Sequence, residues 1–541
     1  MLKTWTIICL QLNEKRNAER EPLNKQKLLL IPFSLGLVFI ISSWFLSYPL
    51  GLNSAGQSLF DNISILYWLS LPLLLVPLYL AAIVSRNNFK WIFSIGIVIV
   101  LYSISYFYLM LPGSDSQFFR GMNEYLIDSQ NLSPLQPNHG YFQWPSFFLL
   151  TSVASSISGL SIQSFEFVLY TIIGFLLTIS LHFYASQQFK NYSFLMVIAF
   201  FISMFYFLNY QCVPFSLALG LLFLMFVLES KSQSLPLTII IEILFVGLVL
   251  THAFVPLFFI IYLFFRTILD RNRYYGQLFL FALSLYFIIQ LTLAQYSFAA
   301  NIIVLLRSTS EYSSMIQATG TPVFIPLDNI AQVFSRGITI VAVAISGLGF
   351  VYLFVKRKLR NVDKALLLTG TFYTGLGFFL AALGSRAIIL AFIPVALGLV
   401  WLFESKLNKH FKRIFSLVIV LLLTFFLFIP LHLSFGNSVQ YQTREAYKAE
   451  NFFIDHINWE DYPSVFAYSS VTFYIQARIG IDTNLTPYIE EGKRSDIMLY
   501  TLGLGKDMSL FNYTSQKVIA EGNLDLVYNN GYSLVAPKPG L

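Results

Sequence analysis

The stretch "LMLPGSDSQFFRGMNEYLIDSQNL" (109–132) leaves an apolar run and at once presents Asp115, Arg120, Glu124 and Asp128. His139, His252, Arg336 and Arg386 stand near the ends of other apolar runs. A carboxylate at such a border can take a proton from a hydroxyl, and a guanidinium can hold two phosphate oxygens at once. An imidazole can act as a base, bind phosphate or ligate a metal. No His-x-x-x-His pair or similar spacing supports a metal, so no metal or other cofactor is expected. Each residue also has a plain structural reading. An Asp after a helix caps the next one, a border Arg snorkels, and a lone His is hydrogen-bonded inside the fold. Arg120, Glu124 and Asp128 are expected mostly at the surface.

The elements that must position these groups follow from composition. The 541 residues are 56% hydrophobic and only 11% charged, with a mean hydropathy of +0.68. An ordinary soluble domain is about 25% charged, so this is expected to be a polytopic α-helical membrane protein. Cys9 and Cys212 are its two cysteines, which excludes a disulfide framework. A span needs about 20 mainly apolar residues. On that template thirteen stretches qualify, near 27–50, 64–84, 91–111, 165–186, 192–209, 214–229, 236–251, 254–268, 276–296, 334–355, 365–382, 387–404 and 413–434. "WTIICLQL" (5–12) is too short to span and lacks a small-residue cleavage site, so no signal peptide is expected.

Charge sorts the connecting segments. With the N-terminus inside, the cytoplasmic segments hold 22 of the 34 Lys and Arg residues, the positive-inside bias of membrane proteins. A basic nucleic-acid surface is therefore not expected. The expected organisation is a cytoplasmic N-terminal segment (1–26), a transmembrane domain (27–434) with external loops 112–164 and 297–333, and a small extracytoplasmic α+β domain (435–541). That tail holds twelve of the 27 acidic residues. "SVFAYSSVTFYIQARI" and "LDLVYNNGYSLVAP" read as strands, the second with an Asn-Asn-Gly turn suited to a hairpin.

Within the first external loop, "SDSQFFRGMNEYLIDS" opens on capping residues and keeps Phe118, Phe119, Met122, Tyr125 and Leu126 near helical spacing. It predicts an amphipathic helix. Pro134, Pro137 and Pro145 then break helix, and 146–158 predicts a short interfacial helix anchored by Tyr141, Phe142 and Trp144. Glu242 lies inside a predicted span, where a charged carboxylate costs about 2.5–3.5 kcal/mol, so it must face protein or water. A neutral Glu bonded between helices is the favoured reading.

A span, an acid just outside it, a loop ending in aromatic-Pro, an interfacial helix, Gly159-Leu160 and a second span together resemble the GT-C membrane glycosyltransferases. "GSDSQFF" occupies the place of that superfamily's first-loop catalytic acid, on Asp115, and "YFQWPSFFLLTSVASSISGLS" resembles its His-Pro-Pro-Leu stretch, with Trp144 in place of the His. "NYQCVPFSLALGLLF" (209–223), "THAFVPLFF" (251–259) and "GSRAIILAFIPVALGL" (384–399) are similar to stretches of prokaryotic members. The acidic pair is Asp-Ser here, two extra spans precede the matching one, and the tail lacks a Trp-Trp-Asp-Tyr-Gly signature.

The resemblance implies transfer of a sugar from a polyprenyl-phosphate donor to a glycan, lipid or protein acceptor on the external face. Asp115 would be the base, with Arg386, His252, Arg336, Trp144 and His139 as substrate- or phosphate-binding residues. The implied location is a prokaryotic plasma membrane, with the N-terminus cytoplasmic and the C-terminus outside. Two other classes stay open. A polysaccharide polymerase or ligase would suit the 297–333 loop, and a lipid or sugar transporter would show broken helices in two related halves.

Overall fold

A computed structural model describes residues 28–47, 63–83, 90–107, 114–132, 141–189, 195–201, 212–295 (except 232 and 233) and 359–379, with scattered positions between 298 and 456 and short strands after 464. The described part is mainly α-helical. Helix α1 runs Leu28–Ser47, α2 Ile65–Ile83, and α3 Lys90–Ser103, which passes into the 3-10 turn Ile104–Phe107. The loop helices are α4 (Ser114–Ser129) and α5 (Ser146–Ser158). There follow α6 (Ile162–Gln188), α7 (Pro214–Glu229), α8 (Leu235–Thr251), α9 (Val255–Asp270), α10 (Arg273–Thr292) and α11 (Asn361–Phe379).

These helices fall on nine of the thirteen expected spans and on both expected loop helices. The 192–209 span shows helix at 195–201. Those near 334–355, 387–404 and 413–434 lie largely outside the described residues, as do the 1–26 segment and most of the 297–333 loop. Among the described residues, α1, α6 and α10 are long and apolar enough to cross a membrane. The others of this kind are shorter.

Local chemistry sets the helix ends. Helices α7, α8 and α9 each carry Pro in their first turn, where the missing N–H has no helical partner to lose. The Ser161 hydroxyl accepts from Ser164 N–H at 3.3 Å to open α6, and Asn272 Oδ1 accepts from Tyr274 N–H at 3.0 Å to open α10. Gly159 closes α5 at φ +70°, a left-handed conformation that favours glycine.

Helix surfaces identify the solvent. Val168, Ile172, Ile179 and Phe183 stand exposed at helical spacing on α6, as do Leu280, Phe287, Ile288 and Leu291 on α10. On α5 the exposed face is Leu149, Leu150, Val153 and Ile157, while Thr151, Ser152 and Ser155 turn inward. Apolar-out, polar-in helices fit a hydrocarbon solvent, in which polar groups must be satisfied inside the protein. The chain is a multi-pass membrane protein of this kind.

Helix α6 is the hub and packs against α3, α4, α5 and α7; α7 continues to α8 and α9, and α9 to α10 and α11. The α3–α6 approach depends on Gly174, where an added Cβ would stand 2.7 Å from Cε1 of Tyr102. Small residues let membrane helices approach this closely. Ser94 Oγ and His182 Nδ1 bond across the same pair at 2.8 Å.

In the tail, β1 (Val465–Ala467), β2 (Thr483–Asn484), β3 (Ile497–Thr501), β4 (Tyr528–Asn529) and β5 (Ser533–Pro537) form one sheet of order β2-β1-β3-β5-β4. Strand β1 is parallel to β2 and β3, while β5 is antiparallel to β3 and β4. The β4–β5 pair, with Asn529 opposite Leu534, is the hairpin expected around Asn-Asn-Gly.

Candidate functional site

Two polar clusters mark opposite ends of the helix bundle. The first lies along α4. Ser116, Gln117, Arg120 and Asn123 are all buried there, and they share one side of a helix at i, i+1, i+4 and i+7. The Ser116 hydroxyl accepts from the Cys212 backbone N–H at 3.1 Å, which pins the start of α4 to the residue pair leading into α7. Arg120 is 2% exposed, with Nε 3.8 Å from Glu124 Oε1. Glu166, in the second turn of α6 and 4% exposed, lies within electrostatic reach of Arg120, Glu124 and Cys212. Asn123 is fully buried, and neither of its side-chain polar atoms has a hydrogen-bond partner among the described residues.

The other side of α4 is aromatic. Phe119 meets Tyr141, Phe147 and Phe148, and Tyr125 stacks on Phe142 at 6.2 Å between centroids. Helix α4 is thus clamped by apolar contacts against α5, and its polar stripe is held inside the protein. This corrects the surface expectation for Arg120. Glu124 is half-buried and Asp128 is exposed as expected. The anchoring role of Trp144 and Phe142 is corrected too, since both are buried in this aromatic cluster, at 5% and 3% exposure. The Trp144 indole N–H has no hydrogen-bond partner among the described residues.

Asp115 lies in the first turn of α4 by its backbone; its side chain is outside the described part. His252 ends α8 and sits at the same end of the bundle. Its ring is 5.3 Å from that of Phe215, three residues after Cys212. His252 Nδ1 accepts from the backbone N–H groups of Phe254 at 3.1 Å and Val255 at 3.4 Å, so the ring caps α9. The hydroxyls of Tyr286 and Tyr373 donate to the carbonyls of Ala253 and Phe254, tying α10 and α11 to that corner. Arg386, Arg336 and His139 lie outside the described residues. No group of three or more metal-ligating side chains occurs among the described residues.

Sequence reasoning passed over Glu166. The available signal was the one applied to Glu242, a lone acid within a predicted span. Glu242 itself is half-buried on α8, within electrostatic reach of Tyr274 on α10.

The second cluster closes the opposite end. Arg266 Nη1 pairs with Glu229 at 2.8 Å and its Nε with Asp270 at 2.5 Å. The Arg266 guanidinium also donates to the hydroxyls of Tyr262 and Tyr275. Asn361 Nδ2 donates to Asp270 at 2.8 Å, and Gln187 donates to the Val227 carbonyl at 3.4 Å. Four segments expected on one side of the membrane, 187–191, 229–234, 266–275 and 356–364, contribute residues to this end. Residues of the 112–164 loop and the 252–254 corner lie at the other.

No family model matches the chain, and no curated protein matches it. Among solved structures, it is similar to an oligosaccharyltransferase from Archaeoglobus fulgidus, crystallised as a complex with zinc and sulfate, at 12% identity and a TM-score of 0.47. The match covers 83% of this chain and 73% of that one. At these values the likeness names no activity for this chain.

Proposed function

We propose that the protein is a membrane glycosyltransferase that takes a sugar from a polyprenyl-phosphate donor and passes it to a glycan, lipid or protein acceptor at the α4 end of the bundle. The observation that carries this reading is the buried polar stripe of Arg120, Asn123 and Gln117, facing Glu166, on the helix whose first turn contains Asp115. A charged stripe held inside a hydrocarbon-facing bundle is costly, and such groups mark substrate paths in membrane proteins.

In this reading the acceptor atom attacks the anomeric carbon, its proton passes to the Asp115 carboxylate, and the bond from that carbon to the phosphate oxygen breaks. The electron pair leaves with the phosphate, whose charge Arg386 neutralises in bidentate fashion. Arg336 and His139 are assigned to the donor phosphate, and Trp144 supports the donor side from within the buried aromatic cluster. His252 serves chiefly by fixing the corner between α8 and α9. The α4 end faces outward, where the positive-inside bias of the sequence puts it.

Transfer of radiolabelled sugar from a polyprenyl-phosphate donor in membranes tests the phosphate site. Arg386→Ala is expected to lower transfer by at least tenfold, and Arg307→Ala by less than twofold. Equal effects of the two variants would remove Arg386 from the mechanism.

A further inference from the structure

The second cluster borders an open cavity of about 330 Å³, within the size range of small-ligand sites. It lies where α6, α7, α9, α10 and α11 end together, away from the α4 stripe. Its walls include Glu229, Arg266, Tyr275, Ser230, Lys231 and Arg360. Three cations against one carboxylate line it. The charges are not equally committed. Arg266 is 6% exposed and occupied by Glu229, Asp270 and two tyrosine hydroxyls, so it neutralises the floor. Arg360 sends Nε and Nη2 to Asp363, each at 2.9 Å, stacks its guanidinium 5.0 Å from the Trp401 ring centroid, and has 41% of its side chain exposed. Its Nη1 takes no part in these bonds. Lys231, exposed at the turn after α7, makes no ion pair among the described residues.

The Ser230 hydroxyl is committed to Gln187 Oε1 and the Val227 carbonyl. The mouth of the cavity therefore offers an ammonium and one edge of a stacked guanidinium. These are donors suited to phosphate oxygens, and the stacking on Trp401 fixes the guanidinium plane at small entropy cost. The helices that end here expose Phe183, Phe264 and Ile268 nearby on α6 and α9, a surface that acyl chains can cover. We propose that this cavity binds a phosphate group, with the headgroup of an anionic phospholipid or free phosphate as its source. The site is separate from the transferase reading and holds or fails independently of it.

The test uses the full chain, purified in a neutral detergent and examined by native mass spectrometry with phosphatidylglycerol, phosphatidylcholine and inorganic phosphate as probes. Preferential retention of phosphatidylglycerol over phosphatidylcholine by about tenfold is expected if the lipid headgroup is the source. Retention of inorganic phosphate, with competition against the lipid, identifies free phosphate as the source. Lys231→Glu and, separately, Arg360→Gln are expected to cut the preference to less than twofold. Lys364→Glu makes the same charge change as Lys231→Glu, at an exposed position of α11 that does not line the cavity. It is expected to leave the preference intact. Binding of none of the probes, or equal losses in Lys231→Glu and Lys364→Glu, overturns the proposal; the second result would mean a diffuse basic surface.

Discussion

Arg120 and Glu166 carry most of what the side chains add to the sequence. The spacing of Phe118, Phe119, Met122, Tyr125 and Leu126 was enough to predict helix α4 with its observed limits, and it also suggested that the opposite side meets water. In a bundle whose solvent is hydrocarbon, that inference fails, because polar groups are cheaper inside the protein than facing lipid. Arg120 is accordingly 2% exposed and Glu166 4%. Arg120 is the buried cation that both Glu124 and Glu166 feel, and leaving a buried charge without its compensating neighbour is destabilising. Arg120→Ala is therefore expected to lower the unfolding midpoint of the purified protein by several degrees, with part of the loss recovered when Glu166→Gln is added. Asp128→Ala, on the exposed part of α4, should change stability by less than about 0.5 kcal/mol. A surface role for Arg120 would make the two single variants alike in a thermal melt followed by circular dichroism. Asp115 as the base remains a proposal from its place in a loop just outside a span, whereas the plain reading of His252 as a hydrogen-bonded residue holds, its Nδ1 accepting from backbone N–H groups only two and three residues on.

At the scale of elements, apolar length decided nearly everything. Nine expected spans coincide with helices, and the short loop helices α4 and α5 appear where Ser-Asp capping and Pro145 put them. Strand content in the tail was legible at the Asn-Asn-Gly hairpin, while the parallel pairing of β1 with β2 and β3 was not, because long-range pairing leaves no local trace. Helix packing was equally hidden. Nothing in the sequence separates Gly174, pressed against Tyr102, from Gly247, which has open space where a Cβ would stand. Gly174→Ala is expected to destabilise by about 1–3 kcal/mol through overpacking. Gly247→Ala should be neutral or stabilising by up to about 1 kcal/mol, from helix propensity alone. Guanidinium or detergent titration of the two variants distinguishes them, and matching losses would contradict the α3–α6 packing.

For the whole molecule, segregation of the ends matters most. Among the described residues, four of the basic segments predicted to share one side gather around Arg266 and Arg360, and the acid-bearing first loop gathers at the other end with His252. Helix ends alternate up and down in sequence, so the charge bias of the loops translates into two chemically distinct faces. In a variant lacking Cys9, Asn131→Cys, exposed just after α4, should react with an impermeant maleimide added to intact cells. Lys231→Cys should react only after the cells are opened. Labelling of both from one side would contradict the topology and with it the placement of Asp115 outside.

The central claim is that sugar transfer from a lipid phosphate depends on the first turn of α4. Purified protein in liposomes, supplied with a labelled polyprenyl-phosphate sugar and an envelope extract as acceptor, measures it directly. The protein is expected to transfer label, with Asp115→Asn reducing turnover by about 10²–10⁴-fold, the usual contribution of a positioned base, and leaving donor binding intact. Transfer by Asp115→Asn at the rate of the unmodified protein would contradict the claim.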